Sequence, residues 1–222
     1  MARGSHATQG YQAMVDAATN AGVEIRETER HELDRLAADH RGVVALLRSE
    51  LDRTRDLGER ELAAFAFDDD ALVVALDGIE DPQNLGACAR SAEAAGAAVL
   101  VTRIRRAADV TPAAVRASAG ALSHLPHARV ANIARAIERL QTIGFSVVGL
   151  DGDAPTSIFD RPCPEGRVAL VVGSEGTGLS RLVRERCDLL VALPMHGRVG
   201  SLNASASLAA ALYGYVLPSR RR

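Results

Sequence analysis

Lysine is missing from this chain; all 26 basic residues are arginine. That excludes Schiff-base lysine chemistry and the lysine of a phosphate-binding loop. Tryptophan is absent and aromatic residues make up 3% of the chain. The core must therefore be built from Ala, Val and Leu, and few rings remain to stack on splayed bases. The three cysteines, Cys88, Cys163 and Cys187, are odd in number and lack C-x-x-C spacing. A reducing compartment follows, and a cytoplasmic protein is expected. No uncharged apolar run is long enough to span a bilayer, so no membrane partner is expected. The opening MARGSHATQG has no apolar core of a signal peptide, and its RGSH resembles a tag remnant rather than part of a fold. A net charge of -2 excludes a basic footprint over the whole surface.

What is present fits one medium domain and a small one: 222 residues, 47% of them hydrophobic. Residues 1–50 read as a small N-terminal domain, in which 9–48 run helix, strand, helix, strand, with strands over VEIRETE and GVVALLR. A charged stretch at 51–70 reads as a linker with some helix. From 71 to 222 apolar strands alternate with helices, which predicts an α/β fold: a mostly parallel sheet with helices on both faces. Ligands in such sheets bind beyond the carboxyl ends of the strands.

Three loops leave those ends. The first opens DGIEDPQNLGACARSAEAAGA at Asp77. Pro82 fixes a turn and Asn84 can cap the next helix. Leu85, Cys88, Ala89 and Ala92 form its apolar stripe. Arg90 lies about 140° around from Leu85, off the stripe, where helical geometry alone reads it as a solvated arginine. Gly86, in the first helical turn, costs stability and marks a close approach to the backbone.

The second loop, VVGSEGTGLS from Val171 to Ser180, has phosphate-loop spacing, but Leu179 stands where the lysine belongs and Glu175 lies inside. A triphosphate would meet repulsion there. A ligand neutral or cationic at the loop fits better, with Gly173, Gly176 and Gly178 permitting positive φ and close approach. The third loop, LPMHGRVGSLNASASLAAALY, crowds Ser201, Asn203, Ser205 and Ser207 about a helix start. One of them suffices as a cap, so others are available to a ligand. His196 in this loop reads as solvated, and His124 and His127 lack partners for a metal set, so no metal is expected.

Read together, NLGACARSAEAAGA, LVVGSEGTGLS and LPMHGRVGSLNASAS resemble, in order and spacing, the three motifs of the SpoU/TrmH family. These are 2′-O-ribose RNA methyltransferases of the knotted SPOUT superfamily. The likeness runs from about Gly42 to Val216 and is nearest to the RlmB-type group, which methylates a guanosine ribose in 23S ribosomal RNA. It implies S-adenosyl-L-methionine as cofactor, whose cationic sulfonium and neutral adenine explain a glycine-rich loop with a carboxylate and no lysine. It implies Gly173, Glu175, Gly178, Leu193, Met195, Ser201 and Leu202 as cofactor-binding residues. Arg90 is the implied catalytic arginine, supported by Asn84, Glu175, Ser201 and Asn203. The implied architecture carries a C-terminal trefoil knot, a short α/β N-terminal RNA-binding domain about half the length the relatives carry, and a homodimer with sites near the subunit interface.

A guanidinium stays protonated, so the expected role of Arg90 is to hold the adjacent phosphate and stabilise the developing alkoxide, oriented by Glu175. RNA contacts are expected from the local basic patch of Arg103, Arg105, Arg106 and Arg116. Methylation at another ribosomal or transfer RNA position, a non-catalytic RNA-binding factor on the same fold, and a phosphate-loop hydrolase are the competing functions. Leu179 opposes the last of these.

Overall fold

The structure, a computed structural model, describes residues 9–37, 40–46 and 56–220. They fall into two compact units, one up to residue 46 and one from residue 56.

The first unit holds α1 (Gln9–Asn20) and α2 (Arg30–Leu36). Gly22 takes a left-handed φ of 67° just past α1, the helix stop its position implied. The described residues 23–29 and 42–46 carry no strand beyond a single bridge position at Thr28, and residues 47 and 48 of the second expected strand lie outside the described set. Val23 and Ile25 are exposed, so the apolar positions of VEIRETE are not buried against a layer of the described residues. His40 is buried instead, with Nδ1 accepting from the Gly42 N–H at 2.8 Å and Nε2 lying 2.9 Å from Oδ1 of Asp34.

The second unit is a seven-stranded sheet. Its strands are β1 (Asp56–Leu57), β2 (Leu72–Asp77), β3 (Val99–Arg103), β4 (His127–Val130), β5 (Ser146–Leu150), β6 (Val168–Gly173) and β7 (Leu189–Val191). Their order is β1-β4-β3-β2-β6-β5-β7 and every pairing is parallel. Helices α3 (Glu59–Ala64), α4 (Pro82–Ala94), α5 (Pro112–Ala117), α6 (Ile133–Thr142) and α7 (Arg181–Arg186) connect them. The closing helix runs through α8 (Ala204–Ala211), a π-helical stretch at Leu212–Val216 and α9 (Leu217–Arg220).

The apolar runs make this sheet because both faces are buried. Leu72, Val74 and Leu76 of β2 point to one side, where Leu85, Cys88, Ala89 and Ala92 of α4 meet Leu208 and Ala211 of α8. Val73 and Ala75 point to the other, against Ile133, Ala136, Ile137 and Leu140 of α6 and Val183 of α7. The period of two within a wholly apolar strand distributes the side chains between the two layers.

Two strands, β1 and β4, lie where a linker or no strand was expected, while α3 is the helix the linker was expected to carry. Residues 56–64 supply the edge strand β1 and α3, and Leu62 of α3 is 1% exposed. The charged sequence around them hides a single inward face. Strand β4 is four residues long and includes Arg129, too short and too polar to register as an apolar run. Its place between β1 and β3 comes from pairing alone.

Candidate active site

Strands β2 and β6 are neighbours at the centre of the sheet, with Asp77 opposite Gly173 at their carboxyl ends. The first two motif loops leave from this point, where open parallel sheets hold ligands, and the third comes to it from the edge strand β7.

Helix α4 is capped by Asp81, not by Asn84. The Asp81 carboxylate accepts from Gln83 N at 3.2 Å and Asn84 N at 3.1 Å, and Pro82 fills the first helical turn. An ionised acceptor at the helix start also meets the positive end of the helix dipole. Asn84 is thereby freed, and its side chain turns toward the other two loops. Gly86 is approached by protein rather than ligand: a Cβ there would meet the Ala114 carbonyl, Ala117 and the Ser118 N–H of α5.

The loop after β6 folds back on itself. Ser174 N donates to Gly178 O at 3.1 Å, Gly178 N to Ser174 O at 2.9 Å, and the Ser174 and Thr177 hydroxyls lie 2.6 Å apart. Gly176 and Gly178 take positive φ, 81° and 65°, as that reversal requires. Gly173 does not; it is needed because a Cβ would run into the backbone of Gly178 and Leu179. Oδ2 of Asp77, a residue 2% exposed, accepts from Ser180 N at 2.7 Å and pins the far end of the loop.

The third loop ends at Asn203, the cap of α8. Its Oδ1 accepts from Ser205 N at 2.9 Å, Ser205 Oγ at 2.6 Å and Ala206 N at 3.3 Å. With the oxygen so committed, Nδ2 must point away from the helix. It donates to Oδ1 of Asn84 at 2.9 Å and to Oε1 of Glu175. Asn84 Nδ2 donates to the same Oε1 at 2.9 Å. Three residues, one from each loop, thus close a polar triangle in which both amide nitrogens donate to acceptors within it.

Beside the triangle is a cavity of about 300 Å³. Gly173, Glu175, Gly178, Leu193, Met195, Ser201 and Leu202 all line it. Its walls suit S-adenosylmethionine: apolar Leu193, Met195 and Leu202 for a neutral adenine, carboxylates for positive charge, and no lysine for a triphosphate. The negative charge of Glu175 is felt below α4. Burial chiefly, and that carboxylate next, push the Cys88 thiol up to about 12.

Arg90 stands apart from the other expected catalytic residues. It is exposed on α4, does not line the cavity, and has no ion-pair or hydrogen-bond partner among the described residues. Glu175, expected to orient it, is engaged with the two asparagines instead. Arg103 also differs from expectation: its Nε lies 3.7 Å from the buried Oδ1 of Asp77. Arg105, Arg106 and Arg116 are exposed and unpaired among the described residues. His196 is exposed in its loop, as expected. Among the described residues no group of side chains could hold a metal ion, and no helix is long and apolar enough to cross a membrane.

Sequence reasoning missed Asp77, Asp81, Asp151 and Arg184. A signal for two of them was present: LVVALD and SVVGLD both end an apolar strand on a carboxylate.

Residues 71–213 match the SpoU rRNA Methylase family. The chain belongs to that family. This SpoU-family chain is 39% identical over 212 residues to the 23S rRNA (guanosine-2'-O-)-methyltransferase RlmB of a Burkholderia species, covering 95% of itself and 84% of that protein. It is 42% identical over 211 residues to a Mycolicibacterium vanbaalenii protein named as an uncharacterized tRNA/rRNA methyltransferase, covering 93% of itself but 66% of the relative's length. The crystal structure of the SpoU methyltransferase AviRb from Streptomyces viridochromogenes, in complex with AdoMet, aligns over 100% of this chain and 82% of its own. The TM-score is 0.74 at 28% identity.

Proposed function

We propose that this chain transfers a methyl group from S-adenosylmethionine to a ribose 2′-hydroxyl of RNA, a guanosine of 23S ribosomal RNA being the substrate. The observation that carries the reading is the triangle of Asn84, Glu175 and Asn203 beside the glycine-loop cavity. Family membership and the 39% identity to a guanosine methyltransferase support the choice of substrate.

S-adenosylmethionine, when bound, supplies an already activated methyl on a cationic sulfur. The chain's own residues must hold that donor and deal with the hydroxyl proton. Gly173, Gly178, Leu193, Met195, Ser201 and Leu202 bind the donor. Asn84 and Asn203 fix Oε1 of Glu175, so the carboxylate cannot swing. Its Oε2 has no hydrogen bond among the described residues; we assign it to accept the hydrogen bond of the 2′-hydroxyl and receive its proton as the oxygen is methylated.

Arg90 remains the arginine for the neighbouring phosphate and the developing alkoxide. Its exposure, away from the cavity of its own chain, is why the active form is proposed to be a homodimer in which Arg90 serves the partner's site. A C-terminal trefoil knot is proposed as well. After the chain leaves through the edge strand β7, α8 returns to pack on α4 and β6, the path that threading requires. Knotted chains are rare, so the proposal rests on that return path together with the family.

Methyl transfer from radiolabelled S-adenosylmethionine to 23S ribosomal RNA, with transfer RNA as comparison, tests the function. Label in ribosomal RNA at a guanosine ribose is expected. Cofactor binding without transfer to either RNA would overturn it.

A further inference from the structure

The cavity carries four charged side chains: Asp151, Asp153, Glu175 and Arg184. Arg184 is the only basic one among the described residues lining it, and no sequence motif pointed to it. Its Nε lies 2.9 Å from Oδ2 of Asp151, whose side chain is 9% exposed. The other oxygen of Asp151 accepts from Asp153 N at 2.9 Å. Asp151 is thus held at both oxygens, at the end of β5, and holds Arg184 by one nitrogen. The two terminal amino groups of Arg184 make no hydrogen bond among the described residues.

A guanidinium anchored through Nε and open at its end is a preorganised fork for a carboxylate. A carboxylate beside it is the counterpart for an ammonium. We propose that the Arg184–Asp151 pair is a clamp for the zwitterionic amino-acid end of the cofactor: the α-carboxylate on Arg184 and the α-ammonium on Asp151. This rests on the reading above that S-adenosylmethionine is the ligand. Charge also sets direction. Arg184 repels a sulfonium and Glu175 attracts one, so the clamp turns the reactive sulfur toward Glu175 and the asparagines.

Two thioethers test the clamp by binding alone. S-adenosylhomocysteine carries the amino-acid end; 5′-methylthioadenosine has the same adenosine and sulfur without it. Calorimetric titration of the full chain is expected to show tighter binding of S-adenosylhomocysteine. Arg184→Gln is expected to weaken that ligand roughly tenfold to a hundredfold, the worth of a hydrogen bond to a charged group. Its affinity for methylthioadenosine should stay as it was. Asp151→Asn should show the same selectivity.

Equal losses on both ligands would make the pair a structural salt bridge and overturn the clamp, as would unchanged binding of S-adenosylhomocysteine. Wild-type protein that binds neither ligand would overturn the methyltransferase reading with it.

Discussion

Nδ2 of Asn203 donates to Oδ1 of Asn84 at 2.9 Å, joining residues 119 positions apart. The bond is directional for a reason internal to α8. Because the Asn203 oxygen caps the helix, only its amide nitrogen is left to face Asn84 and Glu175. Helix cap and polar triangle share one side chain.

That sharing can be divided by substitution. Asn203→Asp keeps a good cap but replaces the donor with a second carboxylate against Glu175. Thermal stability should hold while methyl transfer falls, on the order of 10²-fold. Asn203→Ala also loses the cap, so the melting temperature should drop with a cost of about 1 kcal/mol. Calorimetry and methyl transfer measured on both variants check the contrast. Asn203→Asp with full activity would remove the triangle from the mechanism.

Two glycines should fail differently. A Cβ at Gly173 meets the backbone of Gly178 and Leu179, so Gly173→Ala must open the loop. Cofactor binding is expected to be lost with modest change in stability. Gly86→Ala instead forces α4 from α5, at a cost of about 1–3 kcal/mol. Chemical denaturation and cofactor titration on the two variants should give opposite patterns.

Acid should weaken the fold through His127. Its Nε2 lies 2.7 Å from Oγ1 of Thr102, and burial chiefly, with the charge of Arg129, lowers its pKa from 6.5 to about 4. Between these values the unfolded chain binds more protons. The contribution is therefore fully present above pH 6.5 and is lost as pH falls toward 4. The slope from this group reaches at most about 1.4 kcal/mol per pH unit. Denaturation across that range, wild type against His127→Asn, should show a shallower slope in the variant.

The basic residues at the end of β3 should separate by role. Arg105 and Arg106 are exposed and unpaired among the described residues, free to meet phosphates. Replacing both with Ala should reduce the slope of log affinity against log salt by about 1.5. Replacing Arg103 strips the buried Asp77 of its nearest cation and should lower stability instead. RNA binding across a salt series, with melting curves, distinguishes the two.

The parallel sheet and the inward stripe of α4 were legible because continuous apolar strands and a 3.6-residue period leave a direct mark. The residues named from the family motifs, Gly173, Glu175, Gly178, Leu193, Met195, Ser201 and Leu202, all line one cavity, but that reading came from the resemblance and not from periodicity. The partner of Asn84 was not legible. A side chain three positions into a helix looks like a cap until Asp81 takes that role. Arg184 was hidden for a related reason: RLVRER reads as a solvated helix, and nothing local tells which arginine turns toward a cavity. Strand β4 and the edge strand β1 escaped because pairing in the sheet, not composition, makes them strands.

The location of Asn203 also sets an order on biosynthesis. A nascent polypeptide translated as far as Ser180 already carries Asn84 and Glu175, yet the last amide donor is still unmade. Such distant partners are slow to find each other. The contact between the three loops therefore closes only after α8 has been made and has packed against α4.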